Sequence, residues 1–492
     1  MGVVVIGAGM GGLAVAARLA AGGHAVTVCE RSPASGGKLG VFDRDGFSFD
    51  TGPSLLTLPE VYRRLFADTG GDLDAVVEVA PVEPTCHYRF ADGTELDIPH
   101  DHRKIPDALA AALGPAAGTE WTGLMTQANR LWDLVGEPVL RKPLNGVRDL
   151  LKHSTNPRDL WAIAPWRTLH ALGARELSDP RLRQFLDRYA TYSGSDPRRT
   201  PALMTVVPYI EQRFGGWYVR GGLRGLADAL HRHCLDLGVT IRLDTEVAEV
   251  RTDRNGVTGV RLADGERLAA TAVVSDADAE HLYGDLVTDP RARRPRRSLR
   301  RAQPSLAGFV LLLALRGRSE LPRHHRVLFP ADYAAEFDAI FGKRPRPVPD
   351  PTVYICAPDD PTVRPAGHEA WFVLVNAPRH DPAGGVDWDA PGLAERYADR
   401  VLSVLAERGL DVWDRLLWRE IRSPAWWERE TRSPGGSIYG TSSNGPRAAL
   451  LRPANRSPVP GLYLVGGSAH PGGGLPLVAL SAEIVADLIG PA

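Results

Sequence analysis

The sequence predicts an α/β fold in which a parallel sheet is assembled from distant parts of the chain, with an α+β domain inserted between those parts. Residues 3–30 and 461–488 each have the pattern of a buried strand, a glycine-rich turn and a helix. Residues 215–278 have the pattern of a helix followed by several strands. The 492 residues are enough for two or three domains or subdomains.

Composition excludes several classes of protein. The formal charge is −1, from 58 Lys and Arg against 59 Asp and Glu, so we expect no nucleic-acid partner, and we expect the basic run at 291–301 to be a solvated helix or loop. The four cysteines are far apart without a CxxC pair, which argues against a disulfide framework or a metal site and indicates a reducing compartment. No apolar run reaches about 18 residues, so we expect a cytoplasmic protein without a transmembrane helix.

The first segment has the pattern of a dinucleotide-binding turn. Val3–Ile6 is a β-branched run suited to a strand buried on both faces. Gly7, Gly9 and Gly12 then give G-x-G-x-x-G. The first glycine permits a tight turn, the second lets the backbone approach a pyrophosphate, and the third lets the next helix pack against the strand. Leu13–Ala21 predicts that helix, whose N-terminal amides would face the phosphates.

An acidic residue follows at the spacing typical of a ribose-binding carboxylate. Ala25–Cys29 predicts the second strand, and Glu30 lies at its end, 23 positions after Gly7. A carboxylate there accepts hydrogen bonds from ribose hydroxyls, and it disfavours the 2′-phosphate of NADP. These features predict a Rossmann-like, dinucleotide-binding domain.

The continuation of this segment indicates which dinucleotide is bound. Glu30 and Arg31 are followed by Gly36-Gly37-Lys38, an alternating hairpin-like run and Asp50-Thr51-Gly52-Pro53. Taken alone, this is a glycine turn with a solvated lysine. It resembles the flavin-containing amine oxidase and desaturase superfamily, which implies FAD. In that superfamily the second glycine pair runs against the pyrophosphate and ribityl, and the basic residue, here Lys38, lies near the flavin.

The middle segment predicts a helix and a strand meander. The amphipathic helix spans Leu223–Leu237, and the predicted strands are Thr240–Leu243, Glu246–Thr252, Val257–Leu262 and Leu268–Ser275. In the superfamily such a unit returns the chain to the dinucleotide-binding domain. A backbone segment at the position of Val247 there meets the adenine.

The remaining regions have the composition of a substrate domain built from inserts, because Trp, Pro and His are frequent in them. We expect the most apolar run, residues 306–317, to be a buried strand beneath a hydrophobic substrate tunnel. Two interpretations of residues 130–172 are left open: a surface that contacts a membrane, or packed helices that form a lid.

The second glycine turn, near the C-terminus, is expected to complete the first domain. It has no ribose-binding acid about 20 residues later, so it is not a second dinucleotide site. We predict that its strand is the last strand of the same sheet and that Gly466 and Gly467 approach the ribityl. Gly472–Gly474 then bring the N-terminus of a helix starting near Leu475 and Pro476 towards the flavin.

Four signatures together resemble the bacterial phytoene desaturase family of carotenoid desaturases over essentially the whole chain. They are "VIGAGMGGLAVAARLAAGG", "GFSFDTGPSLL", "GGWYVRGGLRGLADAL" and "GLYLVGGSAHPGGGLPLVALSAEIVADL". The segment 188–203, "RYATYSGSDPRRTPAL", further resembles the subgroup that acts on pre-formed acyclic carotenoids, including hydroxylated or methoxylated ones.

The resemblance implies a split FAD-binding domain of the glutathione reductase-like (GR2) type. Its parts would be residues 1–80, 215–280 and 456–492, and the substrate domain would comprise 81–214 and 281–455. The implied FAD-binding residues are Gly7, Gly9, Met10, Gly11, Gly12, Glu30, Arg31, Gly37, Lys38, Leu39, Gly52, Pro53, Ser54, Val247, Gly466, Gly467, Gly474, Leu475 and Pro476.

Candidate catalytic residues are few. His470 is a titratable group within the flavin-proximal signature, and we expect it to hydrogen-bond the turn rather than to move a proton. Some family members are proposed to use an acid and an arginine in a stretch like "RDxLR". This chain has "RDLLK", with Asp149 and Lys152, for which a helix-surface ion pair is an alternative explanation.

The implied reaction is desaturation of a long acyclic polyene by hydride transfer to flavin N5, followed by loss of a proton. Without a second dinucleotide site, we expect a quinone or dioxygen to reoxidise the flavin, with possible peripheral association at the inner face of a membrane. Alternative functions are a flavin-dependent oxidase, including one acting on an amine or porphyrin precursor, and a polyene cis–trans isomerase. A non-enzymatic carotenoid carrier is disfavoured because a carrier needs no flavin.

Overall fold

The computed structural model describes residues 2–144, 167–445, 448 and 452–492. Its strands are Gly2–Ile6 (β1), Ala25–Cys29 (β2), Val41–Arg44 (β3), Phe47–Asp50 (β4), Val79–Pro81 (β5), Cys86–Arg89 (β6), Glu95–Ile98 (β7), Trp217–Val219 (β8), Thr240–Arg242 (β9), Val247–Thr252 (β10), Val257–Leu262 (β11), Arg267–Ala269 (β12), Ala272–Ser275 (β13), Ala307–Arg316 (β14), His325–Leu328 (β15), Val353–Cys356 (β16), His368–Ala377 (β17), Leu416–Arg422 (β18) and Leu462–Leu464 (β19).

Helices connect and cover these strands. They are Met10–Ala21 (α1), Glu60–Asp68 (α2), Ile105–Leu113 (α3), Pro115–Leu140 (α4), Leu169–Glu176 (α5), Pro180–Arg188 (α6), Val206–Phe214 (α7), Arg224–Asp236 (α8), Ala279–His281 (α9), Arg293–Leu299 (α10), Tyr333–Phe341 (α11), Leu393–Glu407 (α12), Pro424–Thr431 (α13) and Leu475–Ile489 (α14).

A five-stranded parallel sheet joins both ends of the chain, in the order β19-β13-β1-β2-β9. Its apolar strands are buried because helices cover the sheet; α1 packs against α8 and α14. Ile6 pairs with Cys29 on one side and with Ser275 on the other. The carboxyl ends of β1, β2 and β13 therefore meet at the same edge of the sheet. The predicted α/β class, with the C-terminal strand returning to the first sheet, is confirmed.

Two details of this sheet differ from the sequence-based expectation. The helix of the first glycine turn begins at Met10 rather than Leu13, since Gly9 already serves as its N-cap. The predicted strand Leu268–Ser275 is two strands in different sheets. β12 pairs with β11 in an antiparallel meander, whereas β13 pairs with β1, and the chain crosses between the sheets at residues 270–271. The apolar pattern of residues 268–275 continues across this point, so the sequence did not show that the chain passes from one sheet to the other.

A seven-stranded mixed sheet forms the second part of the fold, in the order β18-β14-β17-β16-β15-β6-β7. The predicted strand at 306–317 is confirmed as β14, which lies between β17 and β18. One face of β14, including Leu311 and Leu313, packs with Val401 and Leu402 of α12. Its opposite face includes Val310, which lines a large cavity.

Two surface expectations concern the basic run and the membrane. Helix α10 lies within the run 291–301, and none of its residues is buried, as expected for a solvated helix. In the part of the chain that the structure describes, every helix is too short or too polar to cross a bilayer.

Replacing Leu313 tests the packing of the central strand. Its side chain is 0% exposed, so Leu313→Ala leaves a cavity and should lower the free energy of unfolding by about 2–5 kcal/mol. Chemical denaturation followed by circular dichroism measures this loss. The matched control is Leu321→Ala, at a residue that is 70% exposed, which should change stability by less than about 0.5 kcal/mol. Equal losses in the two variants would contradict the assignment of β14 to the core.

Candidate active site

A cavity of about 1040 Å³ lies between the carboxyl edge of the parallel sheet and the inner face of the seven-stranded sheet. Both glycine turns open onto it: Gly7 and Gly9 from the first, and Gly467 and Gly474 from the second. Ligands of open parallel sheets bind at this edge, because strand ends and helix N-termini converge there. The two ends of the sequence therefore share one cavity.

Most of the residues named from the sequence line this cavity. They are Gly7, Gly9, Met10, Gly11, Glu30, Arg31, Gly37, Lys38, Leu39, Gly52, Pro53, Ser54, Val247, Gly467, His470, Gly474, Leu475 and Pro476. Gly12 and Gly466 are not part of the lining: Gly12 is packed against the backbone of Gly7, and Gly466 against the carboxyl of Asp276. Asp149 and Lys152 lie outside the described residues.

The first glycine turn has no room for side chains. Gly7 has a φ of 93°, a conformation that favours glycine, and a Cβ atom on Gly12 would lie 2.0 Å from the carbonyl oxygen of Gly7. The two glycines thus allow α1 to begin directly against β1. The N-cap residue, Gly9, offers no side-chain hydrogen bond to the first amides of α1. This helix N-terminus opens towards the cavity and is suited to an anion.

Glu30 is held in a fixed orientation at the end of β2. One carboxylate oxygen accepts a hydrogen bond from the Ala8 amide and the other from the Ser32 amide, both at 2.8 Å. The side chain is buried but lines the cavity, and each oxygen has a second lone pair available for a ligand hydroxyl. This arrangement is suited to binding a diol.

Lys38 connects the loop between β2 and β3 to a segment near residue 437. Its Nζ atom donates hydrogen bonds to the carbonyl oxygens of Ser437, at 3.2 Å, and Ile438, at 2.9 Å. Burial lowers the pKa of Lys38, and the carboxylates of Asp278 and Asp276 oppose that shift. The sequence indicated the lysine but not its partners, which are about 400 positions away.

Asp276 is a residue of the site that sequence reasoning missed. It follows β13, and its carboxyl oxygens lie 2.3 Å and 2.6 Å from the positions that Cβ atoms on Gly9 and Gly11 would occupy. Burial raises the pKa of Asp276 to about 7, a shift that a hydrogen bond from the Gly12 amide opposes and that Glu30 increases. A carboxyl group there is compatible with a bound pyrophosphate only when it is protonated or shielded.

The second glycine turn is equally crowded. Gly466 and Gly474 have φ values of 91° and 112°, and a Cβ atom on Gly473 would lie 2.4 Å from Cδ1 of Tyr439. Gly474 is the N-cap of α14 and gives it no side-chain cap, so a second helix N-terminus opens towards the cavity. Its amides are placed to stabilise negative charge on a ligand.

His470 is embedded in the hydrogen bonds of this turn. Its Nε2 atom lies 3.1 Å from the carbonyl oxygen of Lys142, an acceptor, so Nε2 carries the hydrogen. Its own carbonyl oxygen accepts hydrogen bonds from Asn455 and Ser481, each at 2.8 Å. These contacts favour a role in holding the turn.

Arg452 is a second missed residue beside the turn. Its guanidinium donates to the carbonyl oxygens of Tyr439, at 2.8 Å, and Gly467, at 3.1 Å. Burial lowers the pKa of Arg452 to about 10, with Asp278 and Tyr439 opposing the shift. Arg452 places positive charge on the cavity wall.

The other half of the cavity is formed by α7, the seven-stranded sheet and α13, and it is largely apolar. Its lining includes Leu203, Met204, Val207, Ile210, Val310, Phe372, Leu374, Trp426 and Trp427. A polar cluster interrupts this wall: Arg188, Tyr192, Glu211, His325 and Tyr354 are buried or half-buried and also line the cavity. Residues 188–203 were noted in the sequence for their resemblance to a subgroup of carotenoid desaturases. No motif in the sequence pointed to Glu211 or His325.

Comparisons with known proteins agree with this architecture. The family model "Flavin containing amine oxidoreductase" matches residues 10–490. The chain is 35% identical to 4,4'-diapolycopene oxygenase of Methylomonas sp, covering 99% of this chain and 97% of that protein. It is 34% identical to a neurosporene-forming phytoene desaturase of Rhodobacter capsulatus, covering 99% and 93%. It is 33% identical to 1-hydroxycarotenoid 3,4-desaturase of a Flavobacterium species, covering 99% and 98%.

Solved structures share the fold at low sequence identity. An oxidoreductase from Methanosarcina mazei superimposes with a TM-score of 0.66 at 19% identity, covering 99% of this chain and 100% of that one. Putrescine oxidase bound to putrescine has a TM-score of 0.65 at 14% identity, covering 99% of each chain.

The chain belongs to the flavin containing amine oxidoreductase family and, within it, to the carotenoid desaturases. It is accordingly an oxidoreductase with a flavin cofactor.

The pH dependence of stability tests the environment of Asp276. Its pKa in the folded protein, about 7, exceeds the ordinary value of 3.8, so the unfolded chain is ionised in a range where the folded protein still holds the proton. This group therefore costs stability progressively as pH rises from about 4 to 7, and the cost is complete above that range. Asp276→Asn removes the charge. We expect it to stabilise the flavin-free protein at pH 8 by at most about 4 kcal/mol and to have little effect near pH 4.

Thermal unfolding of both proteins between pH 4 and pH 8 measures that difference. The control is Asp264→Asn, at an exposed residue, whose curve should run parallel to that of the wild type. A stabilisation by Asp276→Asn that does not depend on pH would contradict the account.

Proposed function

We propose that this chain is an FAD-dependent desaturase that introduces double bonds into an acyclic carotenoid or a similar long polyene. The observation that carries the proposal is the continuous cavity, which begins at two helix N-termini and extends beneath an apolar sheet face. A charged, elongated cofactor suits the first part, and a long hydrocarbon without ionisable groups suits the second. The names of the relatives agree, since each acts on a carotenoid or a carotenoid precursor by name.

The residues present fit FAD as the flavin. Gly7 and Gly12 close the turn so tightly that a Cβ on Gly12 would meet backbone, which brings the first turn of α1 against the cavity. The Met10 and Gly11 amides are proposed to face a pyrophosphate there, whereas the Gly12 amide donates to Asp276. Glu30 has lone pairs for the adenosine ribose, and Val247 lines the cavity near it. The second uncapped helix, α14, opens at the other turn. FMN would leave the adenosine side of this cavity unused.

We assign the cofactor's parts to three groups of residues. Those proposed to contact the adenosine and pyrophosphate are Gly7, Gly9, Met10, Gly11, Glu30, Arg31 and Val247, with Gly12 shaping the turn. Those proposed to contact the ribityl and the flavin ring are Gly37, Lys38, Leu39, Gly52, Pro53, Ser54, Gly467, Gly474, Leu475 and Pro476, with Gly466 shaping the second turn. Arg452 joins the second group because it binds the Gly467 carbonyl.

Bound FAD supplies an acceptor for the hydride that leaves the polyene. The protein's own contribution is to hold the polyene against that acceptor and to exclude water, which the apolar wall around Val310 and Phe372 provides. A proton leaves the neighbouring carbon to complete the double bond. We assign His470 a positioning role, because its Nε2–H is directed at the Lys142 carbonyl oxygen. Asp149 and Lys152 remain hypothetical acid–base residues outside the described part of the chain.

The electrons must leave through an acceptor that reaches the flavin directly. A quinone or dioxygen meets this requirement. Quinones and carotenoids both dissolve in membranes, so we infer that the protein works at the cytoplasmic face of a membrane.

The alternative of a polyene cis–trans isomerase predicts turnover without net oxidation, and the alternative of an amine or other oxidase predicts turnover of a polar substrate.

Anaerobic reduction of the bound flavin tests the proposal. The protein purified without denaturation should carry FAD, identified by mass after release, and its absorbance near 450 nm should bleach when an acyclic polyene is added, as expected for a flavin oxidoreductase. The product should be two hydrogens lighter. A saturated isoprenoid of the same length is the control and should cause no bleaching.

Three results would contradict the proposal. They are FMN in place of FAD, bleaching by amines but not by polyenes, and an isomerised polyene of unchanged mass.

A further inference from the structure

Two histidines and a cysteine converge where β15 begins and β16 ends. His325 is the first residue of β15 and pairs with Cys356, the last residue of β16, and His324 directly precedes the strand. One ring nitrogen of each histidine and the cysteine Sγ all lie within 4.8 Å of one another. His325 and Cys356 are 2% and 4% exposed, and His324 is half-buried. Three groups that can each bind a metal ion therefore share one small, buried volume.

Both imidazoles have a nitrogen atom that the protein leaves unsatisfied. The Nε2 atoms of His324 and His325 are buried, and neither has a hydrogen-bond partner among the residues that the structure describes. The centroids of the two rings are 4.5 Å apart. A buried polar atom without a partner is costly and needs an explanation, so two such nitrogens on adjacent rings indicate a ligand.

Tyr354 holds His325 in an orientation that suits metal binding. The Tyr354 hydroxyl lies 2.8 Å from Nδ1 of His325 and 2.7 Å from Oγ of Ser54. All three groups are satisfied when Nδ1–H donates to the tyrosine oxygen and the tyrosine hydroxyl donates to Ser54. Nε2 of His325 then keeps its lone pair, which is the usual state of a metal-binding histidine whose other ring nitrogen donates a hydrogen bond.

Cys356 supplies the sulfur of the cluster. Its Sγ lies 4.0 Å from the carbonyl oxygen of Ser54, at the outer limit of a hydrogen bond to sulfur. Burial raises the pKa of Cys356, and a hydrogen bond with Tyr354 opposes that shift. A metal ion that binds here must therefore displace the thiol proton, as metal ions do at other cysteine sites.

The carboxylates that act on His324 have other partners. Burial lowers the pKa of His324 to about 4, and the charges of Asp360 and Asp359 oppose that shift. Asp360 accepts a hydrogen bond from the Gly221 amide at 2.7 Å, and Asp359 forms an ion pair with Arg364 at 2.7 Å. The cluster thus offers two neutral imidazoles and one thiol.

This ligand set favours Cu⁺ over Zn²⁺. Thiolate and imidazole bind both ions, and two histidines with one cysteine form a trigonal set that is typical of copper. Structural Zn²⁺ takes four protein ligands, whereas the described cluster has three. One thiolate cancels the charge of Cu⁺ but leaves a net charge with Zn²⁺. That net charge is costly in a buried site, and the charge of Arg188 already acts on His325.

The cluster adjoins the large cavity. His325, Tyr354 and Ser54 line that cavity, so an ion can approach the cluster from it. The sequence argued against a metal site because the four cysteines have no CxxC pair. The fold instead combines a single cysteine with two histidines that precede it by 31 and 32 positions, on the neighbouring strand and directly before it.

We propose that His324, His325 and Cys356 bind one Cu⁺ ion, which joins the start of β15 to the end of β16 beside the cavity. Tyr354 is a positioning residue, because it acts on the ion through His325. The site is distinct from the reaction assigned above, and the inference does not rest on the identity of the substrate.

Anaerobic titration of the purified flavoprotein with Cu⁺, in competition with a chromophoric Cu⁺ chelator, tests this inference. The protein should bind one equivalent, and X-ray absorption at the copper edge should show one sulfur and two nitrogen ligands. Zn²⁺ should bind at least about 10-fold more weakly, since the set lacks a fourth protein ligand. Bound Cu⁺ should also raise the Tm, because the ion binds only the folded protein.

Variants identify the ligands. Cys356→Ala should lower the Cu⁺ affinity by more than about 100-fold, because loss of a ligand should exceed the 10–100-fold effect of an outer contact, and it should abolish the rise in Tm. Tyr354→Phe removes the partner of the His325 Nδ1 and should lower the affinity by about 10-fold. The matched control is Cys234→Ala, which removes another buried thiol, one that donates to the Leu13 carbonyl oxygen, and it should keep the wild-type affinity.

Flavin absorbance and circular dichroism report folding in every variant, and Tyr354→Phe carries the test if Cys356→Ala does not fold. Four results would overturn the inference. They are a wild-type protein that binds no Cu⁺, equal affinity in the wild type and Cys356→Ala, a loss of binding in Cys234→Ala, and tighter binding of Zn²⁺ than of Cu⁺.

Discussion

The structure depends on backbone contact between its two glycine turns. A Cβ atom on Gly11, in the first turn, would lie 3.1 Å from both the nitrogen and the Cα of Gly466, in the second. Contact this close is possible because position 11 is glycine, whereas a Cβ on Gly466 would meet the carboxyl of Asp276 instead. It brings the N-termini of α1 and α14 to one cavity and closes the parallel sheet with strands from both ends of the chain.

Charge in this cavity is controlled by burial. Lys38 and Arg452 bring positive charge to its wall, and burial lowers the pKa of both. Asp276 lies among the glycines, and burial raises its pKa to about 7. Lys38 and Arg452 thus face the part of the cavity proposed to hold an anionic cofactor, whereas the wall under β14 and β17 stays apolar. Arg188 belongs to the polar cluster that interrupts the apolar lining, and its aromatic surroundings explain how the charge is accommodated there.

Local signals predicted the first domain well. The β-branched strand, the glycine spacing and the acid at Glu30 are all encoded within 30 residues, and each of these elements was expected from the sequence. The hairpin of β3 and β4 and the helix α8 were also predicted from periodicity and turn residues. The division of Leu268–Ser275 into two strands was not predicted, because both strands have the same apolar character and only their partners differ.

Contacts between residues that are distant in sequence explain why the site could be predicted only in part. Asp276 acquires its environment from glycines more than 200 positions away, and Lys38 finds its carbonyl partners about 400 positions away. Arg188 and Glu211 come to the same cavity only when α6 and α7 fold against it. Sequence spacing carries no information on such pairs, because each residue alone has the appearance of an ordinary charged residue in a loop or at the end of an element.

The central claim is that one FAD molecule joins the two ends of the sequence. Hydrogen exchange of backbone amides, measured on flavin-free protein with FAD or with ADP added, tests it most directly. The account predicts that FAD protects amides in both 9–13 and 474–478, and that ADP, which lacks the flavin, protects mainly the first group. Protection of only one turn by FAD, or equal protection of both by ADP, would contradict it.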